Sequence, residues 1–376
     1  MSKRFLLTIA AIAALLSVSA SAQLSDASRA RLTSAQTRGA TFLLSRQQPN
    51  GAWMHHPAIT ALAVMGIADS PEYAKPEVKA KIDLALDFIA KAAQPDGSLA
   101  DPRDRRSYPV YTTSICLIAL AKFNRPADQA IIRHARDYLL SDDALSDVTD
   151  GSATGIGYGR KTRADLNNTA WALEALYVTD HLDREPFNKN PEAAKKADLA
   201  WDRALKFLTH CQNLAETNQS AWLQSAPAED KGGFIYSPTE ALKENASQQA
   251  LRSYGSMTYS GLKSLIYAKV SKDDVRVKSA MEWIQRYYTL AENPGVGDSG
   301  YYYYLHTFGK TLSLFDLPIL TDAKGVKHDW RAELIDAIAD RQKDDGSWAN
   351  DKSGRWMESL PELTTSYVLM TLGVIK

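Results

Sequence analysis

Gln342-Lys343-Asp344-Asp345-Gly346-Ser347-Trp348 decides how the rest of the chain is read. Ahead of it, Trp330, Leu334, Ala337 and Ile338 lie at offsets of four, seven and eight, the spacing of one helical stripe. Behind it, Thr365, Leu369 and Leu372 lie at offsets of four and seven and mark a second helix. The glycine can take positive φ and end the first helix, and the tryptophan can cover the seam to a neighbour. The unit is helix, glycine–aromatic turn, helix.

The same unit recurs along the chain. The threonine-led stripe appears as Thr60-Val64-Ile67, Thr113-Leu117-Leu120, Thr169-Leu173-Leu176 and Thr258-Leu262-Leu265, with an imperfect copy at Thr307-Thr311-Leu314. The matching turns are Asn50-Gly51-Ala52-Trp53, Asp96-Gly97-Ser98-Leu99, Gly157-Tyr158, Gly232-Gly233-Phe234 and Ser299-Gly300-Tyr301. Six helical hairpins are predicted near 27–69, 74–122, 127–180, 191–270, 272–314 and 330–374. No period-two alternation is long enough for a sheet. A lone hairpin cannot bury both faces of its helices, so neighbours must stack, as an open array or a closed ring. Three polar stretches, 141–164, 181–198 and 213–248, read as long loops inserted into the repeat.

Composition narrows the function classes. The 376 residues are 45% hydrophobic and 23% charged, ordinary for a globular chain. Lys plus Arg equals Asp plus Glu at 44 each, which argues against a dedicated nucleic-acid binder. Two cysteines exclude a disulfide scaffold and a four-cysteine zinc site, and Cys116 and Cys211 read as buried free thiols. Lys3 and Arg4 precede the apolar stretch Phe5 to Leu16, which ends in Ser17-Val18-Ser19-Ala20-Ser21-Ala22. That is the pattern of a secretory signal peptide over 1–22, cleaved after Ala22, with the helical-repeat domain spanning 23–376. The expected address is secreted or periplasmic, with no membrane span after cleavage.

The turns carry a resemblance. Gln342 to Trp348 matches the QxxDGxW repeat of squalene and oxidosqualene cyclases at every specified position. Gln47-Gln48-Pro49-Asn50-Gly51-Ala52-Trp53 matches with Asn for Asp, and Gly232-Gly233-Phe234 resembles the turns of protein prenyltransferase β subunits. The chain thus resembles the terpenoid cyclase and protein prenyltransferase superfamily. That resemblance implies an all-α fold: an (α/α)6 toroid of six hairpins, with an inner ring of helices around a central cavity and an outer ring around them.

The resemblance also implies what is missing. Cyclases protonate their substrate with the middle aspartate of a DxDD motif before Thr-Ala. Here that stretch is Asp165-Leu166-Asn167-Asn168-Thr169-Ala170, and an amide has no proton to give. The positions matching the prenyltransferase zinc ligands hold Ser256, Thr258 and Thr364, which are poor zinc ligands. There is no Cys-Gly-Glu-Gln run for a thioester. No metal and no cofactor is indicated.

Residues near the starts of the inner helices are the candidate cavity or substrate groups: Asp165, Asn167, Asn168, Trp171, Tyr254, Tyr259, Tyr303, Tyr304, His306, Arg355, Trp356, Glu358 and Glu362. Asn167 and Asn168 also suit helix capping, and the two roles can coexist. In Tyr301-Tyr302-Tyr303-Tyr304 the four rings must point all round a helix, so some meet the core and some the cavity. His55-His56 lacks the i, i+4 spacing of a helical metal face. Asp101, Arg103, Asp104, Arg105 and Arg106 read as a solvated loop, and Gly155 to Gly159 lacks the strand and ending of a phosphate loop.

Three functional readings follow. The first is an exported, squalene-cyclase-like toroid that binds a hydrophobic or isoprenoid small molecule, or a protein partner. The second is a terpene cyclase or isoprenoid-modifying enzyme with a non-standard acid such as Asp165. The third is a carbohydrate-active lyase, using Tyr303 or Tyr304 with His306, or a hydrolase drawing two carboxylates from Asp165, Glu358 and Glu362. The sequence alone leaves catalysis open.

Overall fold

The computed structural model describes residues 23–100, 108–148, 151, 153–159 and 162–375. The proposed leader and the charged loop at 101–106 lie outside the described residues. Fourteen α-helices are formed among the described residues: Asp26–Arg46 (α1), Pro57–Ala68 (α2), Pro76–Ala90 (α3), Pro109–Phe123 (α4), Gln129–Leu139 (α5), Leu166–Val178 (α6), Pro191–Cys211 (α7), Pro238–Ala241 (α8), Gln248–Leu251 (α9), Gly255–Tyr267 (α10), Val275–Arg286 (α11), Tyr301–Phe315 (α12), Trp330–Ala339 (α13) and Pro361–Gly373 (α14).

Six of them, α2, α4, α6, α10, α12 and α14, form the inner ring. Each packs on the next, and α14 packs on α2, so the ring closes. Their composition explains the position: α2 is buried at every residue from Pro57 to Ile67, which only a helix surrounded by others can be. The outer helices α1, α3, α5, α7, α11 and α13 bury one stripe each, as Ile132, Ala135, Tyr138 and Leu139 do on α5.

The repeat threonine is a latch. Thr60 Oγ1 accepts the backbone N–H of Trp53 at 3.0 Å, and Thr365 Oγ1 that of Trp348 at 3.0 Å. Thr113 holds Leu99 and Thr258 holds Phe234 in the same way. In the third hairpin the latched residue is Ile156, not the expected Tyr158. The fifth hairpin departs: Thr307 donates to the Tyr304 carbonyl, and Tyr301 is already helical. There the Asn293 side chain does the stitching, accepting the Ser256 N–H and donating to the Ser299 carbonyl.

The turn glutamine and glycine join neighbouring hairpins. Gln47 Nε2 donates to Gly51 O and to Lys81 O on α3. Gly51, at φ +88°, lies so close to Leu84 on α3 that a Cβ would stand 2.6 Å from its carbonyl oxygen. Gly346, at φ +87°, stands in the same relation to Arg38 on α1, and Gln342 donates to Ala35 O. The sixth hairpin therefore meets the first as the first meets the second.

Two loop expectations change. The polar stretch 181–198 ends as a loop at Asn190, whose side chain accepts the Glu192 N–H, and Pro191 then opens α7 from the first helical position. The insertion 213–248 carries a small core of Trp222, Ile235 and Ala241, completed by Leu251 just beyond it. Short two-stranded ribbons, 145–147 with 154–156 and 320–321 with 327–328, decorate the rim. Cys116 and Cys211 are both buried and free, and burial pushes both thiols up.

Candidate functional site

Each inner helix starts from a turn, so the six N-termini gather at one end, the mouth. Helix N-termini attract acceptors, and several are already occupied. Asp165 precedes α6 with an extended backbone. Its Oδ1 accepts the Asn168 N–H at 2.9 Å and its Oδ2 accepts the Asn168 side-chain amide at 2.7 Å. The Tyr236 hydroxyl lies beside the same carboxyl. Burial pushes the Asp165 carboxyl up to about 6, against the opposing pull of Asn168, Arg163 and Tyr236. Both oxygens face the helix they cap.

Glu358 does for α12 what Asp165 does for α6. Its Oε1 accepts the Tyr303 N–H at 2.7 Å, and Oε2 accepts the Asn350 side-chain amide at 2.9 Å. Burial raises this carboxyl, and Asn350 and the amides of Tyr301 to Tyr303 oppose the rise. Glu362 instead reaches Arg46 on α1 at 3.2 Å. The three carboxylates grouped from the sequence are thus dispersed into two caps and an outward ion pair.

Below the mouth, side chains from helices that are not neighbours in the ring touch, which places them on the axis. His306 (α12) stacks with Trp171 (α6), ring centroids 5.7 Å apart and 10° between planes. It also stacks with Tyr367 (α14) at 5.9 Å. Tyr303 lies 5.6 Å from Tyr367 and 6.5 Å from Trp171. The Tyr111 hydroxyl on α4 meets that of Tyr367 at 3.2 Å. Tyr111 and Tyr303 are half-buried, whereas Trp171 and His306 are each 1% exposed. Burial and then the Lys263 charge push the His306 imidazole down to about 3, so it is neutral at neutral pH.

The floor is ionic. Glu174 on α6 takes Lys263 Nζ (α10) at 2.6 Å and Lys310 Nζ (α12) at 3.2 Å. Burial disfavours its charge, but Lys263 and Lys310 outweigh that and hold the carboxyl well below the usual range. Lys263 also sits 5.3 Å over the Trp171 ring. The sequence reading missed Glu174, Lys263, Lys310, Tyr111 and Tyr367. The signal was present: Asp165, Asn168, Trp171 and Glu174 run at i+3 spacing down one face of α6, and Tyr303, His306 and Lys310 run at steps of three and four down α12.

The other candidates fall elsewhere. Tyr259 and Tyr304 lie on the seam, not the cavity: Tyr304 Oη donates to Thr289 O, and the Tyr259 ring packs on Tyr304 and Phe308. Helical rotation of 100° per residue separates Tyr304 from its axial neighbour Tyr303. Tyr254 precedes α10 at the mouth, parallel to Trp356 at 6.5 Å. Trp356 is 43% exposed, in a left-handed backbone, with Arg355 stacked on it at 4.6 Å. Asn167 is half-buried on the first turn of α6. The sequence-assigned positions Ser256, Thr258 and Thr364 bond to backbone or to Asn293.

Known structures share this architecture. The type II terpene cyclase MstE from Scytonema superposes with a TM-score of 0.53 at 14% identity, over 92% of this chain and 97% of that one. A variant of that cyclase bound to geranylgeranyl dihydroxybenzoate gives 0.52 at 12% identity, over 93% and 98%. The α-1,6-mannanase GH76A of Salegentibacter sp. HEL1_6 gives 0.56 at 10% identity, over 91% and 98%. An inactive variant of that mannanase holds α-1,6-mannotriose, with a TM-score of 0.55 at 10% identity, over 92% and 99%. No family model matches the chain, and no curated protein matches it in sequence. At these identities the likeness is one of fold. The protein has the terpenoid-cyclase-like fold, an all-α (α/α)6 toroid with inner and outer helix rings.

Proposed function

We propose that this is an exported toroid that binds a small molecule at its mouth and does not cyclise it. The observation that carries the reading is Asp165. A carboxyl that protonates an alkene must hold a proton and aim it at the substrate. Asp165 instead turns both oxygens to the start of α6 and accepts from Asn168 twice. The Asn167–Asn168 pair supplies no acid in its place. Export rests on the Lys3-Arg4 and Phe5–Leu16 pattern ending at Ala22. Support for a small-molecule ligand comes from the half-buried Tyr111 and Tyr303 and the exposed Trp356 around the mouth. Toroids of the same fold hold a prenylated benzoate and a trisaccharide.

Binding of squalene, geranylgeraniol and oligosaccharides to the leaderless chain, read as a rise in Tm, tests this. A rise with at least one probe, reduced in Tyr111→Ala and Trp356→Ala, is expected. No response to any probe would remove the reading.

A further inference from the structure

The link from the latched turn residue to the next inner helix is longer in the sixth hairpin than the repeat needs. In the first hairpin residues 54–56 suffice between Trp53 and Pro57, whereas residues 349–360 separate Trp348 from Pro361. The surplus forms a loop with a closed neck, the arrangement of an Ω-loop. The Asn350 N–H donates to Glu358 O at 2.8 Å, and the Asn350 side-chain amide donates to Glu358 Oε2 at 2.9 Å. The neck is fixed to the ring. Glu358 Oε1 accepts the Tyr303 N–H, Thr364 Oγ1 donates to Glu358 O at 2.8 Å, and the Asn350 amide also reaches Asp298 O at 2.7 Å. Asn350 and Glu358 are both buried.

Beyond the neck little holds the loop. From 351 to 357 every residue is exposed except the half-buried Ser353. Trp356 and Met357 join no hydrophobic core. Both lie in the left-handed region, at φ +56° and +64°, which side chains of this size rarely adopt without strain. The seat of the tip comes from two other hairpins. The Trp356 ring lies on Gly300, where a Cβ would stand 2.5 Å from it, and runs parallel to Tyr254. Ser353 Oγ is 3.5 Å from Ser299 Oγ, and Lys352 Nζ is 3.3 Å from Asp298 in an exposed pair that adds little. Since α12 stands between α10 and α14 in the ring, the tip reaches across the start of α12 to Tyr254. A buried neck with an exposed, strained and lightly seated tip is a unit that opens without the ring unfolding.

We propose that residues 351–357 are a lid on this side of the mouth, swinging on the Asn350–Glu358 neck between the seat on Gly300 and an open position in which the Trp356 ring is withdrawn from Tyr254. Opening gives up the ring contact with Gly300 and relieves the left-handed backbone at Trp356 and Met357, which lie where the tip returns to the neck. The two positions therefore lie close in energy. The lid is a property of this chain alone and holds whichever molecule the mouth takes, so it goes beyond the ligand-binding reading.

Fluorine NMR of the leaderless chain labelled with 5-fluorotryptophan reads the motion, with the Trp356 resonance assigned by its loss in Trp356→Phe. That resonance is expected to show microsecond-to-millisecond exchange, whereas Trp348, fully buried and latched by Thr365, shows none. Ser299→Cys with Ser353→Cys allows a disulfide to pin the tip to its seat, and the buried Cys116 and Cys211 stay out of that oxidation. Exchange at Trp356 should stop in the bridged form and return on reduction. Gly300→Ala places a methyl group against the ring and should shift the resonance away from its position in the bridged form. Exchange that persists in the bridged form would mean that the ring moves on a fixed tip, and would overturn the lid. A Trp356 resonance free of exchange, and moved neither by the bridge nor by Gly300→Ala, would make the loop a rigid rim and overturn it as well.

Discussion

Gln342 Nε2 donates to the carbonyl oxygen of Ala35 at 3.1 Å, joining positions 307 residues apart. Gln47 makes the equivalent bond to Lys81, only 34 residues away. The last seam of the ring is built like an internal one, so closure needs no special device. Gln342→Ala and Gln47→Ala should each cost about 0.5–1.5 kcal/mol, because each removes two side-chain hydrogen bonds that are part-buried or exposed. Urea unfolding of the two variants checks this, and a Gln342→Ala variant as stable as the wild type would indicate an open ring.

Thr60→Val removes the acceptor for the Trp53 N–H, which is fully buried, and should destabilise by about 1–3 kcal/mol. Thr307→Val should cost less than about 1 kcal/mol, because Thr307 accepts from no turn amide and only donates within its own helix. Chemical denaturation of the pair distinguishes a latch from generic threonine packing, which would give equal losses.

Asp165 titrates near 6 in the fold because burial penalises its charge. The folded carboxyl holds its proton more tightly than the unfolded one, whose value is near 4. Its contribution to stability is therefore complete below pH 4 and is lost as pH rises through 6, a change of about 3 kcal/mol. Asp165→Asn keeps a cap and removes the titration. Its stability should be flatter between pH 4 and 6, with no loss at pH 7.5, in urea melts run across that range. A variant that keeps the wild-type slope would place the titration elsewhere.

Glu174 pairs with two lysines at the floor, and Lys263 is itself 2% exposed. Glu174→Ala strands that charge and should destabilise by about 3–5 kcal/mol. Replacing Glu174 and Lys263 together with Leu and Met should recover much of the loss, since the desolvation cost goes with the pair. Thermal melts of the single and double variants measure the difference. Equal losses would mean that the ion pair is not the cause.

The hairpins were legible because each repeats the same local chemistry. Gln342, Gly346 and Trp348 lie within seven consecutive residues, so the unit shows in sequence. In the fourth hairpin Gln212 and Gly232 play the same parts, bonded through Gln212 Nε2 to Gly232 O, but residues 213–231 separate them and hid the match. Site residues on helices followed from rotation alone: His306 and Trp171 reach the axis because their neighbours on the stripe do. Glu358 and Glu362 could not be placed that way. Their destinations depend on the path of the loop ahead of α14, where Trp356 and Met357 are left-handed and swing Glu358 onto the start of α12. Tyr259 and Tyr304 fell on the seam because one residue of rotation decides between cavity and core.

The absence of cyclisation is the central claim, and product analysis tests it most directly. The leaderless protein is incubated with squalene, geranylgeranyl diphosphate and geranylgeranyl dihydroxybenzoate from pH 5 to 8, and the extracts are resolved by mass spectrometry after chromatography. Unchanged substrate at every pH, for both wild type and Asp165→Asn, is the predicted result. A cyclised isomer of equal mass that forms with the wild type and disappears in Asp165→Asn would contradict the account.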